Sequence, residues 1–298
     1  MTLRFLVVVS LLLVAGCAPP RGNSIVIGAK NFTEQVVLGE LLAQQIEAAF
    51  AAEGQPNYHV ERRFYLAGSY LCQQALVTGR IDGYIEYSGT ALTAILKQPL
   101  PPVKDPVAVF ATIKSLYESR YKVRVEPGLG FEDTFAMVVR GDDADLDHLT
   151  KISDVKPYAD QMRLGVGYEF QARPDGLSGL QSAYKLHFAT PRVMDLGLLY
   201  RALASHQVDI VAGNSTDGPI RALGFRILAD DLHYFPPYEA VPVIREDSLA
   251  RHPEIQTAVA RLAGQVSAAE MQAMNDAVDG RHEDVAAVVR EFRARKGL

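Results

Sequence analysis

Short apolar segments that are each followed by a helical pattern constrain this sequence most. The first, Ser24–Gly28, has the unbroken apolar character of a buried parallel strand. Leu38, Leu42 and Ile46 then recur four residues apart, which predicts a helix with one apolar stripe. Strands that alternate with helices predict an α/β fold, in which ligands bind beside the carboxyl ends of the strands. The length of 298 residues favours two lobes.

The same order of strand and helix continues to the end of the chain. Two stretches that contain proline, Pro127–Gly130 and Phe235–Tyr238, interrupt it and predict two crossings between lobes. We therefore expect one lobe from residues 24–129 and 236–298, and a second from residues 130–235. Further strands are predicted at 81–85, 121–125, 134–139, 163–166, 208–212, 225–228 and 240–244, and further helices at 69–78, at 89–96, from 106 and at 283–295.

A weak internal repeat relates the two predicted lobes. Residues 75–90 resemble residues 202–217, so that Asp82 matches Asp209 and Ser88 matches Ser215. Each copy reads as a helix end, a strand and a polar loop. If the repeat is genuine, each lobe presents one such loop to a shared cleft. Chance similarity between two strand–helix units is the alternative.

The N-terminus carries the pattern of an export signal. Arg4 precedes an apolar run that ends at Ala15, and this run is shorter than the about 20 residues that a membrane-spanning helix needs. Leu13–Cys17 resembles a bacterial lipobox, which implies removal of residues 1–16, lipidation of Cys17 and a tether over residues 17–23. An ordinary signal peptide with an incidental cysteine is the alternative. The predicted location is the periplasm or the outer face of the cytoplasmic membrane.

Signatures of enzymes and of nucleic-acid binding are missing from the sequence. Gly128-Leu129-Gly130 lacks the third glycine of a dinucleotide loop, and the segment around Ser178 does not have the spacing of a nucleophile elbow. Two cysteines cannot build a tetrathiolate zinc site, and the seven histidines are scattered. The net charge of −5 disfavours nucleic acid. We expect no catalytic residue, cofactor or metal, although a catalytic group assembled only in three dimensions remains an alternative.

Six polar loops that also contain aromatic residues are the candidate binding elements. Five of them follow a predicted strand, so they are expected to converge on one cleft. The chain has no tryptophan, so an aromatic site for a cation must consist of tyrosine and phenylalanine. The loops are residues 30–35, 66–70, 86–90, 130–135, 168–173 and 213–218.

Several of these loops carry motifs that resemble one protein family. The motifs are, in chain order, Gly-Ala-Lys-Asn-Phe-Thr-Glu-Gln, Glu-Tyr-Ser-Gly-Thr, Gly-Phe-x-x-Thr, Arg-Pro-Asp-Gly, Ser-Thr-Asp-Gly and Phe-Pro-Pro-Tyr. They resemble the substrate-binding subunit of ABC importers for the osmoprotectants glycine betaine, carnitine and choline. The resemblance implies a type II periplasmic binding protein, whose two α/β lobes close on a small osmolyte and deliver it to an ABC permease. It implies binding without catalysis.

Family ligands of this kind are quaternary ammonium compounds held by tyrosine rings. A methylated ammonium donates no strong hydrogen bond, whereas an aromatic face attracts it by about 0.5–2 kcal/mol. The resemblance places Tyr87 in such a cage, and it assigns polar contacts to Asn31, Gln35 and Ser69. Together with the other loop residues, this predicts a ligand-binding set of Asn31, Phe32, Gln35, Ser69, Tyr70, Tyr87, Thr90, Asp133, Thr134, Arg173, Asn214, Ser215 and Thr216.

Two positions depart from the family pattern. Asn214 stands where a cage tyrosine is common, and Asp133 stands where an asparagine is frequent. Tyr70 is a candidate to replace the missing ring. Arg173 either clamps a ligand carboxylate or holds the lobes together, and Phe32 either contacts the ligand or packs beneath its loop. The ligand is therefore a quaternary ammonium osmolyte or a related zwitterion such as ergothioneine, and a sensor with the same fold is the alternative to a transport receptor.

Overall fold

The computed structural model describes residues 24–99, 104–146 and 148–298. The predicted signal segment 1–16, the lipidated Cys17 and the tether 17–23 lie outside these residues. Within the described ranges, no helix combines the length and the apolar character that crossing a membrane requires.

Strands and helices alternate along the described chain. The first part contains β1 (Ser24–Gly28), α1 (Thr33–Ala52), β2 (His59–Arg63), α2 (Ser69–Val77), β3 (Gly83–Tyr87), α3 (Ser88–Thr90) with a π-helical continuation (Ala91–Ile95), α4 (Pro106–Tyr121) and β4 (Val123–Val125). The middle part contains β5 (Phe135–Arg140), α5 (Gly141–Leu146), a 3₁₀ turn (Ile152–Val155), β6 (Leu164–Val166), α6 (Tyr168–Ala172), α7 (Leu177–Tyr184), β7 (Arg192–Val193), α8 (Leu196–Ala204), β8 (Ile210–Asn214), α9 (Gly218–Ala222) and β9 (Phe225–Ile227). The last part contains β10 (Ala240–Arg245), α10 (Glu246–Arg251), α11 (Glu254–Leu262), α12 (Ala268–Asp279) and α13 (Val285–Lys296).

The strands form two five-stranded sheets of equivalent order. The first sheet runs β2-β1-β3-β10-β4, and the second runs β7-β6-β8-β5-β9. In each sheet three neighbouring strands are parallel, and the fourth strand is antiparallel to both of its neighbours. The predicted α/β fold with two lobes is confirmed. Below, the first lobe is the set of elements on the first sheet, and the second lobe is the set on the second sheet.

The internal repeat coincides with equivalent positions in the two sheets. Asp82 precedes β3 and accepts a hydrogen bond from the Val26 amide at 2.7 Å. Asp209 precedes β8 and accepts one from the Arg163 amide at 2.8 Å. Each aspartate therefore connects its own strand to the neighbouring parallel strand through a backbone amide. Tyr87 and Asn214 are the last residues of these two strands.

The differences between predicted and observed elements have local causes. Strands β3 and β8 begin two residues later than predicted, because the segment around each aspartate bonds through its side chain. Strands β2 and β7 were not predicted, since both are edge strands and lack a continuous apolar run. At the start of α1, Phe32 occupies the N-cap without a side-chain hydrogen bond, and the Thr33 hydroxyl donates to Asp279.

The two crossing segments run side by side between the lobes. Glu132 and Glu239 form an antiparallel bridge, and the Asp133 amide donates to the Tyr238 carbonyl at 3.1 Å. This pairing places Asp133 and Tyr238 at the junction of the two sheets. The lobe boundaries at 129/130 and 235/236 remain predictions, and both fall between the last strand of one sheet and the first strand of the other.

Candidate functional site

A cavity of about 320 Å³ lies between the lobes. It is bounded where β1, β3, β6 and β8 end, the edge at which an open α/β sheet binds ligands. All six candidate loops contribute to its wall. The volume is at the lower end of the range for small-molecule pockets, so the cavity suits a compact ligand.

Aromatic rings from both lobes form much of the cavity wall. Phe32 and Tyr87 stack with their ring centres 6.5 Å apart and their planes 21° apart. From the second lobe, Phe135 packs edge-on against Phe170 at 4.9 Å and against Tyr238 at 5.7 Å. Such an enclosure offers π faces and excludes water, the two conditions under which an aromatic ring binds a cation most strongly.

Two basic side chains already use these rings. The Lys30 ammonium lies 4.9 Å from the centre of the Tyr87 ring and is ion-paired with Glu86. The Arg173 guanidinium lies 4.8 Å from the centre of Phe135. The rings thus have an electrostatic environment that accommodates positive charge. Both cations are buried and have a carboxylate partner, as burial of charge requires.

Arg173 and its partner Asp175 also connect the lobes. Two parallel hydrogen bonds join them, Nε to Oδ1 at 2.9 Å and Nη2 to Oδ2 at 2.6 Å. Asp175 also accepts hydrogen bonds from Thr93 at 2.8 Å and from Tyr238 at 2.6 Å, both in the first lobe. Burial raises the pKa of Asp175, but Arg173 outweighs it and holds that pKa below the ordinary value. Arg173 therefore combines both expected placements: it lines the cavity and takes part in the connection between lobes.

A second contact between the lobes involves a predicted ligand residue. Glu169 of the second lobe accepts hydrogen bonds from the Ser69 amide at 2.5 Å and from the Ser69 hydroxyl at 3.1 Å. Ser69 begins α2, where unpaired amides favour an anion. The carboxylate of Glu169 occupies that position.

A cluster of carboxyl groups lies beside the cavity. Glu34 accepts hydrogen bonds from the Tyr87 hydroxyl at 2.7 Å, the Thr216 hydroxyl at 2.5 Å and the Asn275 amide at 3.0 Å. Burial raises the pKa of Glu34 to about 7 despite these bonds. Burial, and then the negative charge of Glu34, raises the pKa of Asp133 well above its ordinary value.

Seven of the predicted site residues line the cavity. These are Asn31, Phe32, Tyr87, Thr90, Asp133, Arg173 and Asn214. Tyr87 and Asn214 line it from equivalent strand ends, so one strand contributes a ring to the wall and the other contributes an amide.

The other six predicted residues lie outside the cavity wall. Tyr70 is 47% exposed and borders a different cavity together with Thr93, so it does not replace the missing ring. Thr134 and Ser215 bond to each other where β5 meets β8: the Thr134 amide donates to the Ser215 hydroxyl, and the Ser215 amide donates to the Thr134 carbonyl. The remaining three are buried behind the wall, where protein groups engage them: Gln35 near the Lys30 amide, Ser69 at Glu169 and Thr216 at Glu34.

Tyr238 is the most informative wall residue absent from the predicted set. Its ring packs against Gly89, where an added Cβ would lie 2.6 Å from the Tyr238 ring. The Phe-Pro-Pro-Tyr motif was the available signal, but it served only to mark a crossing and to support the family resemblance. The other wall residues outside the predicted set are Lys30, Ala67, Gly68, Phe135, Gly167, Tyr168, Glu169, Phe170, Leu196 and Ala212.

The described residues contain no group of three or more histidine, cysteine, aspartate or glutamate side chains placed to hold a metal ion.

Two α/β lobes with an enclosed cavity at their junction define a type II periplasmic binding protein. Residues 23–295 match the family described as the substrate binding domain of the ABC-type glycine betaine transport system. The chain belongs to this family of ABC substrate-binding proteins.

Individual relatives agree with this assignment. A carnitine transport binding protein of Listeria monocytogenes is 31% identical over 294 residues, which cover 96% of this chain and 93% of that protein. The ergothioneine transport permease/ergothioneine binding protein of Helicobacter pylori is 30% identical over 92% of this chain, but the match covers 48% of that longer protein. The crystal structure of a glycine betaine/carnitine/choline ABC transporter protein superimposes with a TM-score of 0.74, at 31% identity, over 92% of this chain and 98% of that one.

Proposed function

We propose that this protein captures a small quaternary ammonium osmolyte, of the glycine betaine, choline or carnitine type, and delivers it to an ABC permease. The observation that carries the proposal is the enclosed cavity with aromatic rings from both lobes. A ligand that contacts both walls binds the closed arrangement better than the open one, and this differential affinity drives closure. The protein acts by binding and catalyses no reaction.

The proposed contacts divide the cavity into two parts. Tyr87, Phe32, Phe135 and Tyr238 surround the methylated ammonium. Polar side chains take the other end of the ligand, namely Asn31, Thr90 and Asn214. Ser69, Thr134, Ser215 and Thr216 act from behind the wall, since protein groups bond to their side chains or amides, and Gln35 is buried there with its side-chain oxygen near the Lys30 amide. Tyr70 lies at a neighbouring surface.

The proposal includes an anchor outside the cytoplasm. The lipobox-like segment before Cys17 supports export, lipidation of that cysteine and attachment to a membrane surface. A receptor tethered in this way stays close to the permease that it serves.

Ergothioneine is the second candidate ligand. It carries a trimethylammonium group, and one relative is named for binding it. The side-chain amide of Asn214 adds a hydrogen-bonding group to the cavity wall, which is available to the heterocycle of ergothioneine in addition to the carboxylate that all these betaines carry. A sensor role with the same ligands remains the alternative to transport.

The Tyr87 ring provides the test of the cage. Tyr87→Leu removes the π face, which is worth about 0.5–2 kcal/mol, so the Kd of a quaternary ammonium ligand should rise about 2- to 30-fold. Tyr87→Phe keeps the face and removes only the hydroxyl that bonds to Glu34, so it should stay within about threefold of the wild type.

Tyr121→Leu is the matched control, because Tyr121 packs on Tyr117 and does not line the cavity. Isothermal titration calorimetry with glycine betaine, choline, carnitine and ergothioneine measures all four proteins. Equal affinities of Tyr87→Leu and the wild type for every compound that binds would contradict the cage.

A further inference from the structure

Asp133 is the departure from the family pattern that the proposed ligand contacts do not explain. It lies immediately after the first crossing, and its side chain meets Thr216 of the second lobe and Glu34 of the first. An asparagine at this position would present a neutral amide of the same shape. The acid introduces a group that can take up a proton at the junction of the lobes.

The hydrogen atoms at this junction can be counted. The Thr216 hydroxyl oxygen lies 2.5 Å from Glu34 Oε2 and 2.8 Å from Asp133 Oδ1. A hydroxyl group has one hydrogen to donate, whereas an ionised carboxylate only accepts. Both contacts are hydrogen bonds only if one carboxyl group is protonated and donates to the hydroxyl oxygen. The arrangement in the structure, in which Thr216 contacts both carboxyl groups, therefore contains one proton in addition to the hydroxyl hydrogen of Thr216.

The other donors at the cluster do not remove this requirement. The Tyr87 hydroxyl bonds to the other oxygen of Glu34, and the Asn275 amide bonds to Glu34 Oε2 and to the Thr216 carbonyl. The Thr216 amide donates to Asp133 Oδ1 at 3.2 Å. None of these groups donates a hydrogen to the Thr216 hydroxyl oxygen, so none of them replaces the proton that a carboxyl group must supply.

The surrounding charges favour retention of the proton. Asp217, which precedes α9, and Asp279 of α12 add negative potential, and Tyr200 of α8 bonds to Asp217. The two buried basic side chains of the cavity wall have partners elsewhere: Lys30 is paired with Glu86, and Arg173 is paired with Asp175. Among the residues that the structure describes, no basic side chain forms an ion pair with Glu34 or Asp133.

We propose that Glu34, Asp133 and Thr216 form a proton-binding site between the lobes, and that closure of the lobes takes up one proton. In the open form, Glu34 and Asp133 face water on separated surfaces and ionise independently. In the closed form, they share the proton through Thr216. Without a ligand, the equilibrium between the open and closed forms should depend on pH for this geometric reason alone. The pH dependence of ligand affinity rests also on the proposed function.

The sign of the effect follows from linkage. Burial in the closed form raises the pKa of Glu34 to about 7, above its value in water. A raised pKa stabilises the closed form fully below the open-form value and loses that contribution as the pH rises through the closed-form value. For one proton, the Kd should rise by up to about tenfold per pH unit between pH 5 and 7, and should level off above that range.

Substitutions by neutral amides isolate the cluster. Asp133→Asn and Glu34→Gln each supply an amide hydrogen to Thr216, so the remaining carboxylate accepts the Thr216 hydrogen without an added proton. Glu34→Gln should lose the pH dependence, and Asp133→Asn should weaken it, because burial still raises the pKa of Glu34 in that variant. Asp247→Asn is the matched control: Asp247 is an exposed carboxylate that pairs with Arg245 and does not contact the cluster, so the pH dependence should remain.

Two measurements from pH 5 to pH 8.5 test the proposal. Small-angle X-ray scattering of the ligand-free protein reports closure, and the radius of gyration of the wild type should be smaller at low pH. Calorimetry with glycine betaine, choline, carnitine and ergothioneine reports affinity. A radius of gyration and a Kd that are both independent of pH in the wild type would overturn the proposal.

The other possible results also either support or overturn the proposed proton-binding site. If Asp133→Asn and Glu34→Gln both keep the wild-type slope, or if Asp247→Asn loses it, another group is responsible and the assignment is wrong. If none of the four compounds binds at any pH while the radius of gyration still changes in the wild type and not in Glu34→Gln, the proposed ligand class fails and the proton site stands. Circular dichroism of each variant confirms that it is folded.

Discussion

The buried ion pair between Arg173 and Asp175 allows a prediction of stability with an internal comparison. Both side chains are at most 3% exposed, and Asp175 accepts hydrogen bonds from Thr93 and Tyr238 as well. Asp175→Asn leaves the guanidinium buried, with Glu169 at 3.6 Å as the nearest remaining carboxylate. Removal of one partner of a buried pair costs about 3–5 kcal/mol, and we expect the free energy of unfolding to fall by that amount.

Asp247→Asn is the matched control for this substitution. Asp247 forms the same kind of paired hydrogen bonds with Arg245, at 2.8 and 2.7 Å, but its side chain is 56% exposed. Water replaces a lost partner at such a site, so the loss should be at most about 1 kcal/mol. Urea unfolding followed by circular dichroism measures both variants. Losses of similar size in the two variants would show that burial does not set the strength of this contact between lobes.

Two further predictions concern packing and the anchor. Gly89→Ala places a Cβ 2.6 Å from the Tyr238 ring and 2.7 Å from the Pro237 carbonyl oxygen, so thermal unfolding should show a loss of about 1–3 kcal/mol, whereas Gly197→Ala, with its closest contact at 3.3 Å, should change little. An unchanged Gly89→Ala would mean that the ring moves freely. Cys17→Ser should transfer the exported protein from the membrane fraction to the soluble periplasmic fraction, and retention in the membrane fraction would argue against lipidation at Cys17.

Local patterns in the sequence predicted the architecture well. The apolar run Ser24–Gly28 became a strand with the predicted bounds, and Asp105-Pro106 begins α4 with the aspartate as its cap, as predicted. The match of Asp82 with Asp209 identified equivalent strands, because each aspartate bonds to a neighbouring strand in the same way. These features depend on residues that are close in sequence or on a repeated unit, so a single chain suffices to find them.

The parts of the site that were missed depend on contacts between distant segments. Glu34, Asp133 and Thr216 meet only because the lobes come together, and no spacing in the sequence indicates that one hydroxyl serves two carboxyl groups. Lys30 pairs with Glu86, and the Glu34 side chain accepts a hydrogen bond from Tyr87, so both partners are more than 50 residues away in sequence. Such pairs depend on which strands and which lobes lie side by side, and a local pattern in the sequence does not reveal that.

Ligand binding by the wild-type protein tests the central claim most directly. Calorimetric titration at pH 6 and pH 8 with glycine betaine, choline, carnitine and ergothioneine should give at least one Kd in the micromolar range or tighter, about −8 kcal/mol or more favourable. Binding of none of the four quaternary ammonium compounds at either pH, by a protein shown to be folded, would contradict the account.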